Sequence, residues 1–162
     1  METAVIARIE ESLGHQFKDH DLVRRALTHA SLVDSRLNSN ERLEFLGDSV
    51  LGLVICADLY TQYPDLLEGE MTKIKSTVVS RKVCAEIAEA LGLHEALQLG
   101  KGMCKHKSLP GSVLAAVFES LVGAMYLDGG MEPARRFILR VMRPRVEMAA
   151  RSGHQSNFKS VL

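Results

Sequence analysis

Apolar residues recur along this chain at the three-and-four spacing of helices, and glycines, prolines and capping residues cut the pattern into segments. Val5, Ile6, Ile9 and Leu13 form the first stripe, which stops at Gly14 and predicts a helix with a glycine C-cap. Asp19 or Asp21 supplies the N-cap of a second helix carrying Leu22, Val23, Ala26 and Leu27. Ser31 to Ser39 is polar and reads as a loop. A long periodicity then runs from Asn40 through Leu43, Leu46, Val50, Leu51, Val54, Ile55 and Leu59 to Tyr63-Pro64, where proline disfavours further helix. A second long periodicity continues from about Gly69 through Met71, Ile74, Val78, Val83, Ile87 and Leu91 to Gly92. Val113, Leu114, Val117, Leu121, Met125 and Tyr126 predict a helix stopped at Gly129-Gly130. A last helix opens near Pro133 with Ala134, Phe137, Ile138, Val141 and Met142, and Pro144 is placed to kink or end it. No alternating β-branched run rivals these stripes, so the fold is read as all-α, with one domain over residues 1–150. The polar stretch from Ala149 to Gln155 suits a linker.

Composition narrows the class. With 162 residues, 46% hydrophobic and 25% charged, the chain fits one compact domain with a real core. It carries no run of about eighteen apolar residues, and Met1-Glu2-Thr3-Ala4 lacks the basic and apolar regions of a secretion signal, so no membrane partner and a cytoplasmic location are expected. Cys56, Cys84 and Cys104 are odd in number and lack metal-ligand spacing, which reads as reduced structural thiols. The formal charge of +0 argues weakly against a nucleic-acid partner, but its distribution is uneven. Acids gather at Glu41 to Asp48 and Asp65 to Glu70, and bases at Lys73, Lys75, Arg81 and Lys82, at Lys101, Lys105 and Lys107, and along Arg135 to Arg145.

Glu41, Glu44 and Asp48 fall at i, i+3 and i+7, so on one helix they share a face within roughly 60°. Such carboxylates can converge on a hard cation, and oxygen-only donors suit Mg²⁺ better than zinc. Spacing alone leaves open an ordinary solvated acidic face. Gly47, inside the same helix, costs up to ~1 kcal/mol against alanine, which points to a close backbone approach there. Arg42 in the same turn is a candidate partner for one of the acids. Glu119, set among Val117, Phe118, Leu121 and Val122, is a carboxylate on a strongly apolar helix and needs a partner or a metal.

The run Asn40-Glu41-Arg42-Leu43-Glu44-Phe45-Leu46-Gly47-Asp48-Ser49 resembles the signature of the ribonuclease III family throughout its length. Further matches follow in family order: Ala26 to Ser31, Tyr63-Pro64, Glu68 to Met71, Glu119 to Ala124 and Tyr126 to Gly130, so the resemblance spans Ile6 to Phe137. It implies the all-helical, dimeric endonuclease domain of that family, cutting double-stranded RNA with Mg²⁺, for which Mn²⁺ can substitute. By position, Glu44, Asp48 and Glu119 match metal-binding carboxylates, Glu41 and Glu68 match acids that line the same cleft and support cleavage, and Phe45 matches a dimer contact. The implied products carry 5′-phosphate and 3′-hydroxyl ends with two-nucleotide 3′ overhangs, in processing of ribosomal, messenger and other structured RNA.

One departure matters. The family commonly places a further acidic ligand three residues before the glutamate that Glu119 matches, and here that residue is Ala116. A water can take the vacated position at some cost in affinity, so weaker metal binding with retained cleavage is expected, against the alternative of a dimeric RNA binder that does not cut. Asn157 to Leu162 resemble the opening of the family's double-stranded RNA-binding domain, so residues 151–162 are read as linker and start of a truncated second domain. Without it, RNA binding is expected to be weak and steeply salt-dependent. His29 reads as a hydrogen-bonded structural residue, Met125 and Met142 as core, and Ser120 as unconnected with serine catalysis.

Overall fold

In the computed structural model, residues 2–97 and 110–161 are described, those from 154 onward by backbone only. Lys101, Cys104, Lys105 and Lys107 lie outside the described residues, as do the side chains of Asn157 to Leu162. Seven helices are described: α1 (Glu2–Leu13), α2 (His20–Ala26), α3 (Glu41–Gln62), α4 (Glu68–Val78), α5 (Arg81–Ala90), α6 (Gly111–Gly129) and α7 (Met131–Val161). Short 3₁₀ turns at Ala30–Leu32, Arg36–Asn38 and Leu93–Glu95 link them, and no strand occurs among the described residues. The all-α reading therefore holds.

α6 is the axis of the fold. Every residue from Val113 to Met125 is buried, because α3 and α5 pack along it and α2 and α7 also touch it. By length and composition α6 is the one described helix apolar enough to cross a bilayer, and here that apolar surface is used by the core. Phe118, Leu121 and Met125 are fully enclosed with Leu51, Ile55 and Leu59 of α3 and Ile138 and Met142 of α7.

The predicted ends are largely met. Gly14 and Gly130 take positive φ of 68° and 82°, a region open to glycine, just after α1 and α6. Asp19 caps α2 by accepting from the Asp21 amide. The second long periodicity breaks into two helices, α4 and α5. Ser80 leaves helical geometry and its hydroxyl accepts from the Val83 amide at 3.2 Å, so a new N-cap interrupts the stripe without breaking its apolar rhythm. The polar stretch read as loop, Ser31 to Ser39, contains two of the 3₁₀ turns. Pro144 does not end the last helix: α7 passes through it, and through the Ala149 to Gln155 stretch read as a linker, as far as Val161. Cys84 is buried as expected, whereas Cys56 is exposed, on the outer side of α3.

Candidate functional site

The site is built where α3 crosses α6. A Cβ on Gly47 would lie 1.7 Å from the Glu119 carbonyl oxygen, and one on Gly123 would lie 2.5 Å from the Leu43 carbonyl oxygen. Only paired glycines permit this approach, so the backbones of the two helices meet directly. The close contact anticipated for Gly47 is thus met; its counterpart Gly123 had no signal of its own. Because Gly47 precedes Asp48 and Leu43 precedes Glu44, the crossing brings both carboxylates beside Glu119.

The start of α3 is pinned at the same place by buried polar groups. The Ser120 hydroxyl donates to the Asn40 carbonyl at 3.0 Å, the Asn40 amide donates to the Thr28 carbonyl at 2.9 Å, and its side chain donates to the Ala26 carbonyl at 3.2 Å. Ser120 is completely enclosed, so its role is to hold the first turn of α3 against α6. His29 is structural too: its Nδ1 accepts from the Ser31 amide at 3.0 Å and caps a 3₁₀ turn.

Glu119 is only 5% exposed. Burial first, then the negative charges of Asp48 and Glu44, push its carboxyl up to about 7, against the opposing positive charge of Arg81. The neighbouring Cys84 thiol is pushed up to about 12 by burial and by the charges of Glu119 and Asp48, so it stays protonated and inert. Glu44 is 21% exposed at its side chain, and Arg81 Nη2 reaches its Oε1 at 3.3 Å. Arg81, at the first turn of α5, reads from the sequence as one of a cluster of bases and not as a partner of Glu44. It stands 37 residues from Glu44, and no local spacing links them.

Glu44, Asp48 and Glu119, close enough for the first two to oppose the charge of the third, leave an excess of negative charge beside one base, and their oxygen donors suit a hard divalent cation. The present side-chain positions are not closed around one: among the described residues no three acidic, histidine or cysteine groups converge tightly enough to hold a metal. Glu44 leans toward Arg81 instead. Ala116, one turn before Glu119 on α6, is buried and brings no donor.

The other two predicted acids have partners of their own. Glu41 faces Arg36 at 3.5 Å, in the first turn of α3. Arg42, the expected partner in that turn, is exposed and forms no ion pair among the described residues. Glu68 opens α4, accepts from the Thr72 hydroxyl at 2.7 Å, and lines a recess of about 490 Å³ with Cys56, Tyr60, Met71 and Val79. That recess lies about two to three turns of α3 beyond Asp48, so within one chain Glu68 does not join the cluster. Phe45, 79% exposed, lies on the same helix, whose outer surface also shows Leu53 and Tyr60.

A family model described as ribonuclease-III-like matches residues 19–146. The chain is 48% identical over 159 residues to a protein named ribonuclease 3 from Rhodopirellula baltica, covering 98% of this chain and 60% of the relative. It is 50% identical over 145 residues to ribonuclease 3 of Symbiobacterium thermophilum, covering 88% and 61%. It thus spans about three fifths of the length of these relatives. Among solved structures, it superposes on a nuclease domain of ribonuclease III from Campylobacter jejuni with a TM-score of 0.79 at 35% identity, over 86% of this chain and 97% of that one. That structure is described for flexibility in its region involved in dimer formation.

Proposed function

The chain belongs to the ribonuclease-III-like family, and on that premise we propose that it is a double-strand-specific endoribonuclease, working as a homodimer with Mg²⁺ in the processing of ribosomal and other structured RNA. The observation that carries this reading is Glu119: a buried carboxylate whose ionisation is opposed by Asp48 and Glu44, at a helix crossing that admits only glycines. Such a group is held ready for a cation.

Glu44, Asp48 and Glu119 would hold Mg²⁺, or Mn²⁺ in its place, and the bound ion would supply Lewis-acid polarisation of the phosphodiester and activation of a water for attack. Glu119, held at the α3–α6 crossing, would offer a fixed carboxylate, and the more exposed Glu44, now 3.3 Å from Arg81, would offer a movable one. Ala116 leaves a position to water, which lowers affinity without removing the remaining donors. Hydrolysis in this sense leaves a 5′-phosphate and a 3′-hydroxyl.

The exposed apolar side chains Phe45, Leu53 and Tyr60, together with the recess at the Tyr60 end of the same helix, support a symmetric dimer built on α3 and α4. Phe45 is the projecting side chain and the recess lined by Met71 and Val79 is its receptor on the other subunit. In that arrangement Glu68, at the recess edge, is carried toward the other subunit's carboxylates, which accounts for an acid that stands apart within one chain. Two sites related by the two-fold then cut opposite strands with a stagger, giving two-nucleotide 3′ overhangs.

Ala116 and the unclosed cluster favour a second reading, a dimer that grips duplex RNA without cutting it. A labelled RNA duplex incubated with Mg²⁺ at low salt separates the two, with Ala116→Asp and Glu119→Ala alongside the parent. Cleavage by the parent that disappears in Glu119→Ala supports the nuclease, and a gain in Ala116→Asp measures the deficit. A parent that binds but does not cut, beside an Ala116→Asp that does, makes the chain a binder.

A further inference from the structure

Among the described residues Arg81 is the base that touches the carboxylate cluster, and its place is electrostatically odd. It occupies the first turn of α5, where the helix dipole disfavours a positive charge. The α5 helix carries no acid in that turn to offset it. Its countercharge comes from another helix: Nη2 lies 3.3 Å from Glu44 Oε1. The pair is loose. Arg81 is 62% exposed at its side chain, and a single long contact between partly solvated groups contributes little to stability. Such a contact is easily exchanged. Arg81 also opposes the negative charges around both Glu119 and Cys84, which places it at the rim of the whole cluster and not of Glu44 alone.

We propose that Arg81 is the exchangeable countercharge of this site: it occupies Glu44 while no cation is bound and, once a divalent cation takes that carboxylate, turns to a backbone phosphate of the RNA. The proposal rests on the metal-site reading above. Its chemistry needs no bond change, only an exchange of partners. Glu44 passes from guanidinium to cation, and the guanidinium, whose planar fork suits phosphate oxygens, passes from carboxylate to phosphate. A site with only three carboxylates gains from this, because in the free protein the arginine offsets part of their repulsion and in the complex it adds a phosphate contact.

The test is calorimetric titration of the 162-residue chain with Mg²⁺ in the absence of RNA, for the parent, Arg81→Ala, Arg81→Lys and Glu119→Gln. Removing a competing positive charge predicts that Arg81→Ala binds Mg²⁺ roughly three- to tenfold tighter, and that Arg81→Lys stays near the parent. Duplex RNA binding, measured in Ca²⁺ over a range of salt, is predicted to weaken in Arg81→Ala, with the salt slope shallower by about one. Tighter Mg²⁺ binding together with weaker RNA binding establishes the exchange. Arg81→Ala that binds Mg²⁺ no more tightly than the parent, or keeps full RNA affinity, overturns it while leaving the metal site standing. If the parent shows no Mg²⁺ heat that Glu119→Gln removes, the metal site and the Arg81 role both fall.

Discussion

Glu119 is held ionisable in a place that resists its ionisation. A carboxyl raised to about 7 in the folded chain binds protons more readily there than in the unfolded one, so folding stability falls as pH rises through the interval between the two values. The penalty is fully present above the folded value and absent below the ordinary glutamate value. Glu119→Gln removes it. In chelator, at pH 8, this variant should melt several degrees higher than the parent, and the difference should vanish near pH 4. The same change removes a proposed ligand, so Mg²⁺-dependent cleavage should be lost, the trade of stability against function that strained sites show. A variant that melts lower than the parent at pH 8 would mean that Glu119 is satisfied by a partner other than a cation. Asp128 is the opposite case. Burial tends to raise its carboxyl, but hydrogen bonds from the Lys18 and Asp19 amides and from His15 outweigh this and hold it below the ordinary aspartate value. Its contribution is present above that ordinary value and is lost as pH falls through the lowered one. Asp128→Asn should therefore cost about 1–3 kcal/mol at pH 7 by urea unfolding, with the gap to the parent closing below about pH 4.

Between α3 and α6 the determining fact is the distance between two backbones. Gly47→Ala would drive a methyl into the Glu119 carbonyl, and Gly123→Ala into that of Leu43, so either must push the helices apart and should cost about 3 kcal/mol or more in urea unfolding. Gly69→Ala, whose Cβ meets nothing within 4 Å, is the control and should be neutral or slightly stabilising. This crossing also shows which parts of the molecule were legible beforehand. α3 and α6 follow from period alone, and Gly47 pointed to a close approach because glycine in a helix interior costs stability that a close contact can offset. Gly123 gave no comparable warning, since a glycine on an apolar helix is explained by packing of many kinds. The division of α4 from α5 was hidden because Ser80 breaks the backbone while Val78, Val83 and Ile87 keep the apolar rhythm. Arg81 was invisible as a site residue for a different reason: its ion pair depends on the packing of α5 beside the α3–α6 crossing, a three-dimensional relation with no trace in local spacing. Glu44, Asp48 and Glu119 were legible as a set only through the family resemblance, because periodicity could align the first two and could not attach the third.

At the scale of the whole molecule, the chain leaves one side of α3 unfinished. Buried positions along this helix face α6, yet Phe45, Leu53 and Tyr60 stand 79%, 59% and 77% exposed on its outer surface, and a recess lined by Cys56, Tyr60, Met71 and Val79 opens at its far end. A water-facing helix surface rarely shows several large apolar side chains along one side unless something covers them. A second copy is the economical cover, since one projecting ring and one recess on the same face can be matched twice by a two-fold axis. Phe45 touches little of its own chain, so Phe45→Asp should leave the melting curve of the isolated fold nearly unchanged while placing a charge in the middle of the contact. Sedimentation equilibrium should then show the dimer weakened by about a hundredfold or more. Cleavage should fall with it at protein concentrations where the variant is monomeric, because in the proposed dimer Glu68 would meet the other carboxylates only across the two-fold. Raising the variant's concentration until the dimer reforms should restore cutting. A Phe45→Asp protein that remains dimeric would move the interface to another face, and one that cuts fully as a monomer would leave Glu68 with no part in the site.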